Sequence, residues 1–408
     1  MKQLYFKQHK THRKPRPGRD WLWPFWPILP LYPYGKRRTL CKEVIEDTVW
    51  TFDQVQGILY VSVPIRMTVV KLNKGGLLIY APVAATPECI RQVNELVSQH
   101  GNVKYIILPT VSGLEHKVFV GPFARHFPEA QVFVAPSQWS FPVNLPLSWL
   151  GLPKSRTHIL PKNSQQAPFG NEFDYQILGP IDMGLGKFGE VAFFHKRSHT
   201  LLLTDSMVSV PETPPAIVQL DPYPLLFHAK DSAFESVADT EANRLQGWQR
   251  ICLFAFYFRP SALDVVKMGQ SLRDAFKAPE RSRKAYFGWF PFQWQSNWQQ
   301  SFEALRGGGR PFVAPILQTL ILNRAPQDTL DWAEKVSRWN FDRIIPAHFD
   351  APIDAKPEQF RQAFAFLKKH LVGEEETHLL PEKDLEFLKE IEVSLNKRGI
   401  TPPAQEKV

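Results

Sequence analysis

Residues 103–136, VKYIILPTVSGLEHKVFVGPFARHFPEAQVFVAP, leave this chain few ways to fold. The β-branched run 103–108 stops at Pro109-Thr110, a polar segment ends in Glu115-His116, an apolar run continues through Phe123, and 131–135 is again β-rich. That order predicts strand, loop, helix, strand. A sheet covered by a helix follows, which is an α/β arrangement. An acid and an imidazole stand side by side where the first strand ends, a place from which a rigid sheet can present metal-type ligands on a loop.

The flanking sequence extends this pattern in both directions. Residues 46–80 hold short β-rich runs with a Lys-Gly-Gly turn at 74–76, an antiparallel start to a sheet. Thr86 and Pro87 open a helix that Gly101 closes, and this helix delivers the chain into the 103–108 strand. The Pro- and Trp-rich passage after Pro136 predicts a loop over the sheet edge without regular structure. Strands resume at 173–179, 190–195 and 200–204, the last running into Asp205. Residues 211–310 read as an aromatic insertion with a helix around 234–258 and a Gly triplet, 307–309, that lacks the Gly-Lys-Ser/Thr sequel of a phosphate loop and reads as a hinge. A helix over 328–339 with Asp328 as N-cap feeds a strand at 343–346 that ends at His348. A final helix spans 357–370. The domain reading is therefore a basic, Pro/Trp-rich arm (1–45), a main domain (46–370) with its insertion at 211–310, and a C-terminal tail (371–408).

Composition narrows the function classes. Three distant cysteines, Cys41, Cys89 and Cys252, supply neither a disulfide framework nor a thiolate zinc site, which predicts an intracellular, cytoplasmic protein, with a plastid or a membrane surface as alternatives. The arm carries ten Lys or Arg and one acid before Thr39, around an aromatic stretch interrupted by Pro24, Pro27, Pro30 and Pro33. It is too short and too broken to be a transmembrane segment, and it has neither the uninterrupted apolar core of a secretory signal nor the serines of a transit peptide. Two readings stand: an arm packed over the domain, or peripheral membrane contact through residues 1–38. A net charge of +9 is compatible with anionic lipid, nucleic acid or an anionic substrate and chooses none of them.

Three strand ends thus present ligand-type side chains: Glu115-His116, Asp205 and His348. If the strand ends share one edge, two acids and two imidazoles make a nitrogen and oxygen set suited to one zinc, iron or manganese ion. Without an ion, the same residues read as a hydrogen-bonded structural cluster.

The order of elements resembles the metallo-β-lactamase-fold superfamily. Its Thr-His-x-His-x-Asp-His loop is matched by Thr110-Val111-Ser112-Gly113-Leu114-Glu115-His116, its Gly-His loop by 185–189, its strand-end Asp by Thr204-Asp205, and its last His by Pro346-Ala347-His348. The WLWPF arm and the aromatic insert look like a divergent branch known from photosynthetic organisms, a domain of unknown function. The resemblance implies an α/β (α+β) fold, the αβ/βα four-layer sandwich, here with a helical, aromatic-rich insertion. It also implies a degenerate dinuclear site. The ligands of one metal fall on Val111, Gly113 and Gly186, which offer no donor, whereas those of the other fall on Glu115, His116, Asp205 and His348. This suggests a mononuclear metal-dependent hydrolase of unknown substrate, with Glu115 and Asp205 as catalytic carboxylates and Glu115 either a ligand or a general base. The alternative is a non-catalytic scaffold or regulatory protein with a vestigial site and a small-molecule or protein partner. Nucleic-acid processing is disfavoured, because nuclease branches of the fold need both metals.

Overall fold

The computed structural model describes residues 31–32, 37–111, 114–138, 145–184 and 186–408; most of the basic arm, with Ser112, Gly113 and Leu185, lies outside them. Strands β1 (Leu31–Tyr32) and β2 (Leu40–Ile45) both pair with β3 (Val49–Ile58), so residues read as part of the arm belong to a sheet. From β3 the sheet runs antiparallel through β4 (Val61–Lys71) to β5 (Leu77–Tyr80). The 74–76 turn forms as expected: Leu72 N–H donates to the Gly76 carbonyl at 2.9 Å, and Gly75 and Gly76 take positive φ. Helix α1 (Pro87–His100) is capped by the Thr86 hydroxyl, which accepts the Cys89 N–H. It leads into β6 (Val103–Leu108), α2 (Leu114–His126) and β7 (Gln131–Val134), with β5, β6 and β7 parallel. The passage after Pro136 is less irregular than its prolines suggest. It contributes β8 (Thr157–Ile159), which pairs parallel to β7 at the sheet edge, because backbone groups there find a partner in an otherwise open strand.

A second, five-stranded sheet starts with β9 (Phe173–Asp182), β10 (Lys187–His195) and β11 (Thr200–Leu202). The insertion then supplies α3 (Ala216–Gln219), α4 (Tyr223–Ala229), α5 (Glu241–Tyr257), β12 (Leu263–Val265), α6 (Met268–Lys277), β13 (Phe292–Trp294) and α7 (Trp298–Arg306). The helix expected at 234–258 begins later, at the Thr240 cap, and the Gly triplet serves as the left-handed end of α7. After α8 (Pro315–Leu320), α9 (Pro326–Val336) starts two residues before Asp328, which sits in its first turn rather than at its cap; Pro326 supplies the preset φ. Strands β14 (Arg343–Ile345) and β15 (Ile353–Asp354) complete the sheet, with β14 parallel to β11. The last predicted helix is shorter than 357–370: α10 (Pro357–Gln362) gives way to a 3-10 turn. Short α11 (Glu374–Thr377) and long α12 (Glu382–Lys397) follow.

Alternation along the strands builds four layers. Leu78, Tyr80 and Ile107 of the first sheet meet Tyr175, Val191, Phe193 and Leu202 of the second. Their neighbours Leu77, Ile79 and Ile106 face Val93 of α1 and Phe123 of α2, and on the far side Phe194 and Leu201 face Trp332 of α9 and Phe360 of α10. Helix, sheet, sheet, helix is therefore read directly from which residues bury one another, and β5 is buried on both faces. The insertion builds a further core around Trp248, Ile251 and Phe256, to which Tyr60 and, from α12, Leu385 and Leu388 contribute. No described helix is long and apolar enough to cross a membrane.

Candidate metal centre

The first sheet places Glu115 through the exit of β6. Pro109 accepts the Val191 N–H at 2.8 Å and Val111 donates to Gly189 at 2.9 Å, so the turn into α2 leans on β10 of the second sheet. Glu115 and His116 then fall in the first turn of α2, where the helix N-terminus favours an anion. Asp205 and His348 leave neighbouring parallel strands at the same edge. Leu203 N–H donates to Ile345 and Ala347 N–H to Thr204, which keeps the two exits side by side. His348 is also tied to the first sheet, by a bridge to Ile65 and by its Nδ1, which donates to the Pro64 carbonyl at 3.1 Å. A carbonyl only accepts, so this bond fixes the tautomer and leaves Nε2 for the site.

Three of the four predicted residues meet. His348 Nε2 lies 3.2 Å from Asp205 Oδ1 and 3.4 Å from Glu115 Oε1. One ligand atom from each of Glu115, Asp205 and His348 falls within 4.8 Å of the others, and all three side chains are partly accessible to solvent. His116 is adjacent to this trio, with its ring centroid 6.2 Å from that of His348. It is fully buried; its Nδ1 bonds to the Pro82 carbonyl at 3.1 Å, and its Nε2 has no hydrogen-bond partner among the described residues.

The charges are mutually adjusted. Burial works against a charged His348, but hydrogen bonds and charge from Asp205 and Glu115 overcome it and raise the imidazole to about 10. Burial likewise works against a charged Glu115, and the His348 hydrogen bond and charge hold its carboxyl well below the usual range. Burial lowers His116 and keeps it neutral. In the metal-free protein an imidazolium therefore bridges two carboxylates.

Two supporting residues escape a reading by motif. Glu190 lies inside the apolar run of β10 and is fully buried. Its carboxylate accepts the backbone N–H of Thr204 (2.6 Å), Asp205 (3.1 Å) and Ser206 (2.8 Å) and the Ser206 hydroxyl (3.1 Å). Burial, then the Asp205 charge, push this carboxyl up. Arg66 on β4 donates to the carbonyls of Pro346 (2.9 Å) and Phe349 (3.0 Å) and pairs with Asp53 at 2.7 Å, which braces the His348 loop from both sides. A lone acid in a strand of Phe, Val and Ala was the signal for Glu190. Arg66 carried none.

A family model described as a domain of unknown function, DUF4336, matches residues 46–366. The chain belongs to the DUF4336 family. Among solved structures, this DUF4336 chain is similar to a flavo di-iron protein variant from Thermotoga maritima, with 8% identity and a TM-score of 0.39 over 80% of this chain and 62% of the other. It is similar to the DIM-1 metallo-β-lactamase (10% identity, TM-score 0.38, 80% of this chain and 96% of the other) and to a metallo-β-lactamase from Pontibacter korlensis (12%, 0.32, 46% and 83%). The DUF4336 chain spans about three fifths of the length of the flavo di-iron protein. Comparison with curated protein sequences found no match.

Proposed function

We propose that this protein is a metal-dependent hydrolase of the metallo-β-lactamase type, working with one ion held by Glu115, Asp205 and His348, with His116 as the fourth ligand. One observation carries the reading: donor atoms from three separate strand ends converge within 4.8 Å. The donor set suits the group. Two carboxylates and an imidazole, beside a buried His116 Nε2 without a hydrogen-bond partner among the described residues, offer the nitrogen and oxygen chemistry of zinc, iron or manganese. Val111 and Gly186, where the superfamily pattern calls for histidines, argue for one ion rather than two.

When bound, such an ion supplies Lewis acidity toward a substrate oxygen and acidifies a coordinated water. The chain's own residues supply the rest. Glu115 and Asp205, which we take as the catalytic carboxylates, bring negative charge to the site. Glu115, in the first turn of α2 where the helix N-terminus favours an anion, serves as a ligand or as a general base. Asp205 is oriented by Glu190 and His348 by Arg66 and Pro64, so the ligands are held before anything binds. We assign this work to the 46–370 domain in an intracellular compartment, with the 211–310 insertion packed against it and 371–408 as an extension. The substrate is taken to be a small molecule.

Elemental analysis of purified protein tests the reading. About one equivalent of zinc, iron or manganese is expected, falling below about a tenth in His348→Ala and Asp205→Asn. A metal-loaded wild type is then assayed on an activated ester, a phosphodiester and a β-lactam. Metal-free wild type that cannot be reconstituted would sink the proposal. That result would favour the second reading, a non-catalytic scaffold, which draws its support from His348 already pairing with both carboxylates.

A further inference from the structure

Helix α6 is turned opposite to a core helix. Its large apolar residues Met268, Leu272 and Phe276 recur every four positions on one face and are 65, 50 and 77% exposed, whereas the small Ser271 and Ala275 are buried. Amphipathic surface helices bury their large side chains, and a contiguous apolar strip in solvent marks a surface that something covers.

The strip continues beyond the helix. Val265 precedes it and is also exposed, and the segment Arg283–Gly288 packs against its C-terminal end, where a Cβ on Gly288 would stand 2.5 Å from the Ala275 carbonyl. Within that segment Tyr286 and Phe287 both take positive φ, 49° and 59°, a conformation bulky residues adopt only under constraint. Tyr286 turns inward onto Tyr60, with ring centroids 4.9 Å apart, while Phe287 is left 68% exposed. The constraint thus accompanies an aromatic ring in water beside the strip.

Charge selects what covers this strip. Exposed Lys267, Arg273, Lys277, Arg281, Arg283 and Lys284 lie on α6 or within a few residues of it in the chain, against Asp264, Asp274 and Glu280. Of these acids, Glu280 already accepts from the Tyr223 and Ser282 hydroxyls, and Lys284 lies 3.8 Å from Asp221. We propose that α6 and the Arg283–Gly288 segment form a docking surface for an anionic lipid bilayer, with the helix lying flat in the interface. Met268, Leu272, Phe276 and Phe287 would enter the acyl boundary while the cations meet headgroup phosphates. An apolar strip flanked in the chain by cations matches that layering of hydrocarbon beneath phosphate. Ten residues span about 15 Å as a helix, so α6 lies on the bilayer and does not cross it. This inference does not depend on the metal site.

The test floats the full-length protein with protein-free vesicles of phosphatidylcholine containing about 30 mol% phosphatidylglycerol, and with pure phosphatidylcholine vesicles. Binding to the anionic vesicles is expected, weaker by about tenfold or more on neutral ones and falling with salt. Met268→Ser/Leu272→Ser/Phe276→Ser in the intact chain is expected to lower binding by about tenfold or more without changing the melting temperature, because these side chains are exposed. Arg273→Glu/Lys277→Glu, which leaves the apolar strip alone, is expected to lower it as well. Unchanged flotation of both variants would assign any binding to residues outside this surface and overturn the proposal. So would failure of the intact chain to bind, equal binding to neutral vesicles, or a dimer in solution that the serine variant dissolves, which would make a second copy the occupant.

Discussion

Glu190 holds Asp205 by its backbone: the buried carboxylate accepts the Asp205 N–H at 3.1 Å, together with those of Thr204 and Ser206 on either side. A strand residue of the second sheet thereby shapes the loop that presents a ligand. Glu190→Gln replaces one acceptor oxygen with a donor and leaves a buried N–H facing it. A loss of about 1–3 kcal/mol in unfolding free energy is expected. Metal affinity, read by competition with a chromophoric chelator, is expected to fall about 10- to 100-fold. Equal affinity in mutant and wild type would detach Glu190 from the site.

Arg66 does the corresponding work for His348. Its guanidinium reaches Asp53 and two carbonyls of the 346–349 loop at once, a geometry that the single ammonium of lysine cannot reproduce. Arg66→Ala strands buried carbonyls and half of an ion pair, for which about 3–5 kcal/mol is expected in denaturant unfolding. Arg66→Lys should recover part of this, and a variant as stable as wild type would show that the loop is braced by other means.

Two helices of the insertion touch too closely for any side chain at their contact. A Cβ on Gly247 of α5 would fall 1.8 Å from the Leu225 carbonyl of α4. Gly247→Ala gains about 1 kcal/mol of helix propensity but must push backbone apart, so net destabilisation of about 1–3 kcal/mol is expected. A raised melting temperature would contradict the packing described here.

Acid should weaken the fold through two histidines outside the candidate site. Burial lowers both His228 and His195 to about 4; Arg250 adds to the effect at His228 and Arg197 at His195. His228 Nε2 donates to the Leu59 carbonyl at 3.0 Å, which fixes the tautomer and opposes part of the lowering that burial imposes. With folded pKa values below the unfolded value near 6.5, the unfolded chain binds more protons between about pH 6.5 and 4, and stability falls as pH drops through that window. Each residue is expected to contribute on the order of 1–2 kcal/mol of loss by about pH 5. Urea unfolding at several pH values checks this, and His228→Gln should flatten the acid slope. An unchanged slope in that variant would mean that other groups drive the acid response.

The insertion also reaches the candidate site from behind. Phe349, directly after His348, stacks on Phe256 with ring centroids 4.4 Å apart and lies 6.0 Å from Trp248. Residues 211–310 therefore brace the His348 loop as part of its packing, a relation that nothing in the local sequence of either segment expresses.

What the sequence determined by itself was local and periodic. Thr86 and Pro87 before an apolar repeat, Gly-Gly at 75–76, and β-branched runs such as 103–108 specify their own conformations, because caps, turns and alternation act over a few residues. The motif order further placed Glu115, Asp205 and His348 at strand ends. Tertiary structure decided the rest. Whether three strand ends share an edge depends on β11 lying parallel to β14 and on β6 leaning against β10, contacts between residues far apart in the chain. The same distance explains why no motif names Glu190 or Arg66, although a lone acid in the apolar β10 marks Glu190 as unusual: each holds backbone groups of a remote loop. It explains the strand at 157–159 as well, since an open edge of β7, not local propensity, makes it a strand.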